Sequence, residues 1–501
     1  MKSQFYILSD STKQKLLYFF SGALFILFPF LNVFFKVFRG VSISFVHHFE
    51  RHASFDFKIP SLFQKYIHFY LTEIWIIGLV IGALILKEIR VKNLFLNRHS
   101  RYLTLYIGAA LLSILFSLFS SYFTQYIFAL RLMIAFMGFH LFYLLFQKQT
   151  NLIQPILWAF LIVALLESFI GIGQFLFQHS LGLTFLNEPQ VTPYMKDAPV
   201  YPMNEINRTF FDLLPWIPEG HSQVLRSLGT FDHPNVFGTY LLIALFIGYF
   251  LFITTERKGC KALLLFAIPL FILTLGLTFS RGSIFAWILG TFLSLAVGWI
   301  KRSSFSLQER KQLTLLSLLL GLGCLGVFAL LFKQLIARGG FFNYNAIAAN
   351  SDQGRLLLFH LAVLLFKTHP LLGIGYNGYS LFPYGTLHPE YEGANEIGTH
   401  SHNIYLQIAA ETGIIGLVLI GLFLFSLLRL LRKSEMTPLR LTLGSIFISF
   451  LFLGLIDHFL WTYNSGRMMF FLFTALFAAA FSPPTRYLPN AVNIQTTPKL
   501  E

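Results

Sequence analysis

The sequence predicts an all-α polytopic membrane protein of about twelve transmembrane helices, and three observations predict it. Hydrophobic residues make up 55% of the chain and charged residues 12%, against roughly 25% charged in soluble domains. Mean hydropathy is +0.66. Apolar runs close to the roughly 20 residues that one helix needs to cross a bilayer recur along most of the 501 residues.

In chain order the runs fall at about 16–35, 67–86, 102–121, 127–147, 152–177, 235–255, 262–279, 283–300, 313–333, 404–428, 441–462 and 467–482. The first has no small-residue cleavage site after a short apolar core, so it reads as a retained anchor. The connections 87–101, 256–261, 301–312 and 429–440 are short and rich in Lys and Arg, and with twelve spans they share one side. By the positive-inside rule that side is the cytoplasm. The first outer link, 36–66, also carries Lys36, Arg39, Arg51, Lys58 and Lys65, and fits this scheme as a surface-lying segment.

The formal net charge of +15 is then mostly a topological signal, and no basic stripe with interleaved aromatics marks a nucleic-acid partner. The two cysteines do not form a framework either. Cys260 lies in a cytoplasmic link and Cys324 within a span, so they have no common compartment in which to pair. No internal repeat is visible. The tail after Ser482 is polar and proline-marked and reads as disordered on the inner side.

The predicted outer side has two long segments, 178–234 and 334–403, and four arginines on or near it: Arg226, Arg281, Arg355 and Arg467. Arg281 occupies a turn of a few residues between two apolar spans, on the side where positive charge is avoided. One reading is a side chain that snorkels to lipid phosphate. The sharper one is an anion site, because a guanidinium presents a planar fork of donors matched to phosphate oxygens.

Arg226 stands in RSLGTFDHPNVFG, where Asp232 or Asn235 is placed to cap the next helix, Pro234 suits its first turn and Gly229 permits a close approach. A helix start there directs amides and a positive dipole end at an anion.

The run 356–366 is too short to span and reads as a helix at the interface or over a cavity. The turn-rich stretch HPLLGIGYNGYSLFPYG follows, with Tyr376 among its aromatics. Its G-x-G-x-x-G spacing lacks a surrounding βαβ unit, so the glycines shape a turn and hold no dinucleotide.

At the re-entry into the membrane, THSHNIYLQIAAETGIIGL places His400, His402 and Asn403 at the mouth of a helix, facing the same compartment as the arginines. A neutral imidazole there can take a proton from a hydroxyl near neutral pH. A metal reading, with Glu392 and Glu396 as further ligands, ranks lower because i and i+2 point to different helix faces. Glu411, Glu167 and Gln174 are intramembrane polar groups expected to hydrogen-bond helix to helix.

These stretches together resemble the O-antigen ligase and polymerase superfamily. The residues that carry the resemblance are RSLGTFDHPNVFG (226–238), SRG (280–282), GRLLLFHLA with HPLLGIGYNGY (354–379) and HNIYLQIAAETGIIGL (402–417). It implies a GT-C-type glycosyltransferase with a large outer-face loop containing short helices, set in the bacterial inner membrane with its site on the periplasmic face. It further implies transfer of a glycan from an undecaprenyl diphosphate carrier to an acceptor hydroxyl of lipid A-core or another glycan, with neither cofactor nor metal. Carried over, His402 is the base and Arg226 and Arg281 grip the diphosphate, while Arg355, His400, Asn403, Asn235 and Tyr376 are assigned to substrate binding.

On this division 1–149 are amino-terminal helices, 150–430 the ligase-like core, 431–482 carboxy-terminal helices and 483–501 the tail. A polymerase of the same family and a transporter of an anionic lipid or solute are the alternatives. Against the transporter, no halves related by repeat and no matched broken helices are found.

Overall fold

The computed structural model describes residues 10–31, 34–38, 43–46, 66–87, 98–117, 122–195, 198–202, 223–321, 346–382 and 400–482. Its helices are α1 (Asp10–Leu27), α2 (Leu71–Ile85), α3 (Arg98–Leu115), α4 (Tyr122–Lys148), α5 (Ile153–Phe177), α6 (Pro234–Thr254), α7 (Lys258–Leu277), α8 (Arg281–Ile300), α9 (Ala346–Thr368), α10 (Ile404–Lys433), α11 (Pro438–Ile456), the single turn α12 (Phe459–Thr462) and α13 (Asn464–Phe481). Among the described residues nine of these are long and apolar enough to cross a membrane: α1, α4 to α8, α10, α11 and α13. The chain is a polytopic helical membrane protein.

Helix α6 lies at the centre. It is apolar all round and buried along its length except at Asn235 and Thr254 near its ends, the signature of a helix with no lipid or water face. Around it pack α5, α7, α8 and α11. Pro234 sits in its first turn, where a missing N–H costs nothing, and the His233 side chain caps it by accepting from the Asn235 N–H. Asp232 and Asn235, the expected caps, do not serve there, and Asn235 is thereby left for other partners.

Helix α10 owes its shape to Gly413, whose φ of 64° breaks the helical course. The loop after α9 fills the break: the Ile414 N–H donates to the Pro370 carbonyl at 2.8 Å, and the Ile374 and Gly375 N–H groups donate to the carbonyls of Ala410 and Glu411 at 2.9 and 3.0 Å. Gly373 and Gly375 take positive φ there, so the glycines do shape a turn, and that turn is docked into a kinked helix.

Several sequence-derived boundaries change. The run 441–462 is not one span: α11 ends at Ile456, Asp457 is extended, and α12 is a separate turn. Helix α1 closes at Leu27 and passes into a 3-10 turn over Phe28–Leu31, which contains Pro29. The run 356–366 belongs to a helix of 23 residues, α9. Its stripe of Leu358, Leu361, Ala362 and Leu365 is buried with Ile374, Tyr379 and Ala410, so it covers the start of α10. The fold is also not purely helical. Strands β1 (Phe34–Phe38), β2 (Ile43–Val46) and β3 (Tyr66–Tyr70) form an antiparallel sheet in the order β2-β1-β3, and β4 (Val200–Pro202) pairs with β5 (Gln223–Leu225).

A further helix begins at 307 and takes in residues of the run 313–333 as far as 321, the rest of that run lying outside the described residues. So do Arg39, Arg51, Lys58 and Lys65 of the first link, most of the basic link 87–101, Cys324, Glu392, Glu396 and the tail.

Candidate functional site

The ends of α6, α8, α10, α11 and α13 that lie nearest in sequence to Arg226, Arg281, His402, Asp457 and Asn464 share one end of the bundle. The basic connections around Lys258, Lys301 and Arg440 lie at the other, since α6, α8 and α10 begin at the first end while α11 finishes there.

The segment before α6 is held by polar groups of α5. Gln174 accepts the Gly229 N–H at 2.8 Å and donates to the Gly229 carbonyl at 2.8 Å, while Glu167 accepts the Thr230 N–H at 3.0 Å and the Thr230 hydroxyl at 2.6 Å. Gly229 has φ +60° and a Cβ on it would collide with the Glu167 carboxylate, which is the close approach the sequence suggested. Glu167 and Gln174 thus fasten a loop and not, as expected, another helix.

That loop aims Arg226. Its Nε donates to the Thr278 carbonyl at 2.7 Å, in the turn leading to Arg281, and one Nη donates to Asn235 Oδ1 at 2.9 Å. Asn235 Nδ2 donates to Asp457 Oδ2 at 2.8 Å. Asp457 Oδ1 lies 3.3 Å from His402 Nδ1. Arg226, Asn235, Asp457 and His402 therefore form one polar chain across the starts of α6 and α10 and the end of α11.

Arg281 is the first residue of α8, after the capping Ser280. A Cβ on its neighbour Gly282 would stand 3.1 Å from Ile456 Cδ1, which puts the Arg281 turn directly beside Asp457. Arg355, on α9, is close enough to Asp457 for its charge to act on that carboxyl. Asn403 caps α10, its Oδ1 accepting the Leu406 N–H at 2.9 Å while its Nδ2 donates to the Leu455 carbonyl at 3.0 Å. That second bond ties the base of the histidine loop to α11.

The histidine doublet separates clearly. His402 holds φ +51°, a left-handed conformation uncommon for a side-chain-bearing residue and typical of functional loops. Its side chain is 28% exposed. His400 sits among His458, His402 and Gln407, its ring 4.5 Å from that of His458 and its Nδ1 3.2 Å from Gln407 Nε2. Burial, and then the neighbouring His402, push the His400 imidazole down to about 3, so it stays neutral.

Burial likewise, with the charges of the other histidines, keeps His458 well below the usual histidine range. Burial opposes the Asp457 charge, but the hydrogen bond to His402 and the positive potential of its neighbours outweigh it and hold the carboxyl well below the usual carboxylate range.

Tyr376 stands apart from this chain. Its N–H donates to Ser113 Oγ at 3.0 Å and its buried ring faces Arg467 and Glu411. The sequence reading missed Asp457 and His458. The signal was available as an Asp-His pair closing an apolar run in GLIDHFL, where an ionisable pair is costly without a task.

Fold and site together define a polytopic membrane protein with an arginine, amide, carboxylate and imidazole chain at one end of its helix bundle. Residues 262–421 match the family model described as O-antigen ligase. That stretch is similar to O-antigen ligases, and the match supports a relation to the superfamily of membrane glycan ligases and polymerases. The match takes in Arg281, Arg355, His400, His402 and Asn403, whereas Arg226, Asn235 and Asp457 lie outside it. No curated protein matches the chain.

Proposed function

We propose that the protein is a GT-C-type inverting glycosyltransferase that moves a glycan from an undecaprenyl diphosphate carrier to an acceptor hydroxyl, with His402 as general base and Arg226 and Arg281 as the diphosphate clamp. The observation that carries this reading is the chain Arg226–Asn235–Asp457–His402, which couples an anion-gripping cation to a half-exposed imidazole through two fixed side chains.

In the reaction the acceptor oxygen attacks the anomeric carbon, a glycosidic C–O bond forms and the C–O bond to the diphosphate breaks. The electron pair leaves with the undecaprenyl diphosphate, where the arginines stabilise the growing charge. The acceptor proton passes to His402. With Nδ1–H donated to Asp457, the lone pair of Nε2 is available for that proton, and Asp457 fixes the tautomer and stabilises the imidazolium that results. His400, being held neutral and against Gln407, supports the loop.

The site lies at the periplasmic end of the bundle in the bacterial inner membrane. This orientation is supported by the basic connections at the opposite end. Twelve spans would be reached if α2, α3 and the helix beginning at 307 also cross.

The test is transfer by purified protein with a lipid-linked glycan and two acceptors. Product on lipid A-core identifies a ligase, and product on a second lipid-linked glycan a polymerase. Donor that binds and is never transferred to either acceptor overturns the reading.

A further inference from the structure

The second histidine beside Asp457 is not used by the transfer chemistry, and its geometry is specific. His458 Nδ1 lies 2.6 Å from Thr462 Oγ1, and the same hydroxyl lies 3.2 Å from the His458 carbonyl. A hydroxyl has one proton. Only if Thr462 donates to the carbonyl and receives the Nδ1–H does each contact have its hydrogen.

That assignment leaves a lone pair on His458 Nε2, which lies 3.9 Å from Asp457 Oδ1, and His402 Nδ1 lies 3.3 Å from the same oxygen. The three donor atoms all lie within 4.8 Å of one another. A tetrahedral zinc centre with bonds of about 2.0–2.1 Å sets its ligand atoms about 3.3–3.4 Å apart. One edge of the triangle already has that length, the Asp457–His458 edge is 3.9 Å, and the three ligand atoms span no more than 4.8 Å, so side-chain rotation is what would close the triangle on an ion.

A ligating imidazole also keeps its other N–H on an acceptor, as His458 does on Thr462, and a ligating carboxylate is itself hydrogen-bonded, as Asp457 is by the Asn235 amide at 2.8 Å and the His458 N–H at 2.8 Å. The partial exposure of His402 provides the open side for entry and for a fourth ligand.

We propose that His402, Asp457 and His458 form a binding site for a divalent ion of the zinc class, and that its occupation switches transfer off. The inhibitory part rests on His402 being the base. An ion on Nδ1 requires that nitrogen's lone pair, so the imidazole proton moves to Nε2, the atom that must receive the acceptor proton. The ion also removes the Asp457 carboxylate from its orienting bond. The metal is thus an off-switch on a reaction that runs without one.

The experiment uses full-length protein in detergent, stripped with chelator. Co2+ should give the intense visible d–d absorption of a four-coordinate N/O site at one equivalent, and Zn2+ should displace it. Zinc should lower transfer at least about a hundredfold, with recovery on adding chelator, the scale of losing a general base. His458→Gln keeps the backbone N–H on Asp457. It should retain transfer, lose the cobalt band and resist zinc. Asp457→Asn should lose the band as well.

No band in the wild type, or a band unchanged in both variants, overturns the site. Inhibition by zinc that persists in His458→Gln places the inhibitory ion elsewhere and overturns the proposal. A band that depends on both residues, without inhibition of an active protein, keeps the metal site but removes His402 as base. A protein inactive even when metal-free, yet giving the band, fails the transferase reading alone.

Discussion

Among the described residues two clusters bury arginine with carboxylate, and they are built to opposite ends. Between α2, α4 and α13, Glu73 lies 3.5 Å from Arg131 Nε and 3.6 Å from an Arg467 Nη, with every side chain 5% exposed or less. Arg131 also stacks over Tyr70 and Phe128, and the Asn464 amide donates to Thr72 beside it. That cluster ties three helices together and offers no open side.

Around Asp457 the carboxylate is engaged by an amide, a backbone N–H and imidazoles, and the chain runs out to a half-exposed histidine. A buried charge is therefore not in itself a sign of chemistry. The open side beside His402 is what distinguishes the Asp457 cluster as the candidate site.

The strongest way to break this comparison is His402→Ala. The variant should fold, insert and bind lipid-linked donor, while transfer falls by roughly 10²–10⁴, the usual contribution of a general base. His400→Ala should cost far less. Reversal of the two outcomes would move the base within the doublet, and full activity in both would reduce the loop to a helix cap.

Glu73→Gln probes the other cluster. Leaving two buried guanidiniums without their carboxylate should destabilise the protein by about 3–5 kcal/mol, read as a lower Tm in detergent, with transfer per folded molecule nearly unchanged. A turnover loss without a stability loss would make Glu73 part of the reacting site.

Arg281→Lys keeps the charge and loses the planar fork. Turnover should drop about tenfold or more if roughly 2 kcal/mol of charge-assisted bonding is lost. Near-normal turnover would return Arg281 to the role of a lipid-facing anchor.

The smallest effect is on pH. His400 and His458 have lowered folded values, so below about 6.5 the unfolded chain takes up protons that the folded one refuses, and stability falls as pH falls. Between pH 7 and 5 at constant salt, Tm should decline, and His458→Gln should flatten the slope. A Tm that holds level in the wild type would mean that these imidazoles accept protons in place.

Much of the site was legible in the sequence because its parts are locally abnormal. An arginine in a short turn between apolar runs, as at 281, and two histidines at the head of another, as at 400 and 402, stand out against composition alone. Asp457 and His458 were absorbed into a run of apolar residues because hydropathy averages over a window and does not register one extended residue that ends a helix. Tyr376 was drawn towards the site by its sequence neighbours, yet its ring is buried within electrostatic reach of Arg467 and Glu411 and its N–H is bonded to Ser113. Glu167 and Gln174 were visible as intramembrane polar groups, but what they hold is a loop more than fifty residues downstream.

The sequence by itself determined that the chain crosses membranes, where most helices run, that Gly229 and the 373–378 glycines serve close turns, and which arginines and histidines are out of place in lipid. These follow from side-chain chemistry and spacing along one element, which are properties of neighbours in the chain. The tertiary structure alone decided that Arg226, Asn235, Asp457 and His402 are one hydrogen-bonded chain, that Arg467 belongs to a different and closed cluster, and that His402 and not His400 is the imidazole bonded to Asp457. Asn235 and Asp457 are 222 positions apart and meet at 2.8 Å. Nothing in local pattern fixes such a contact, because it depends on which helix ends the packing of α6, α10 and α11 brings to the same place.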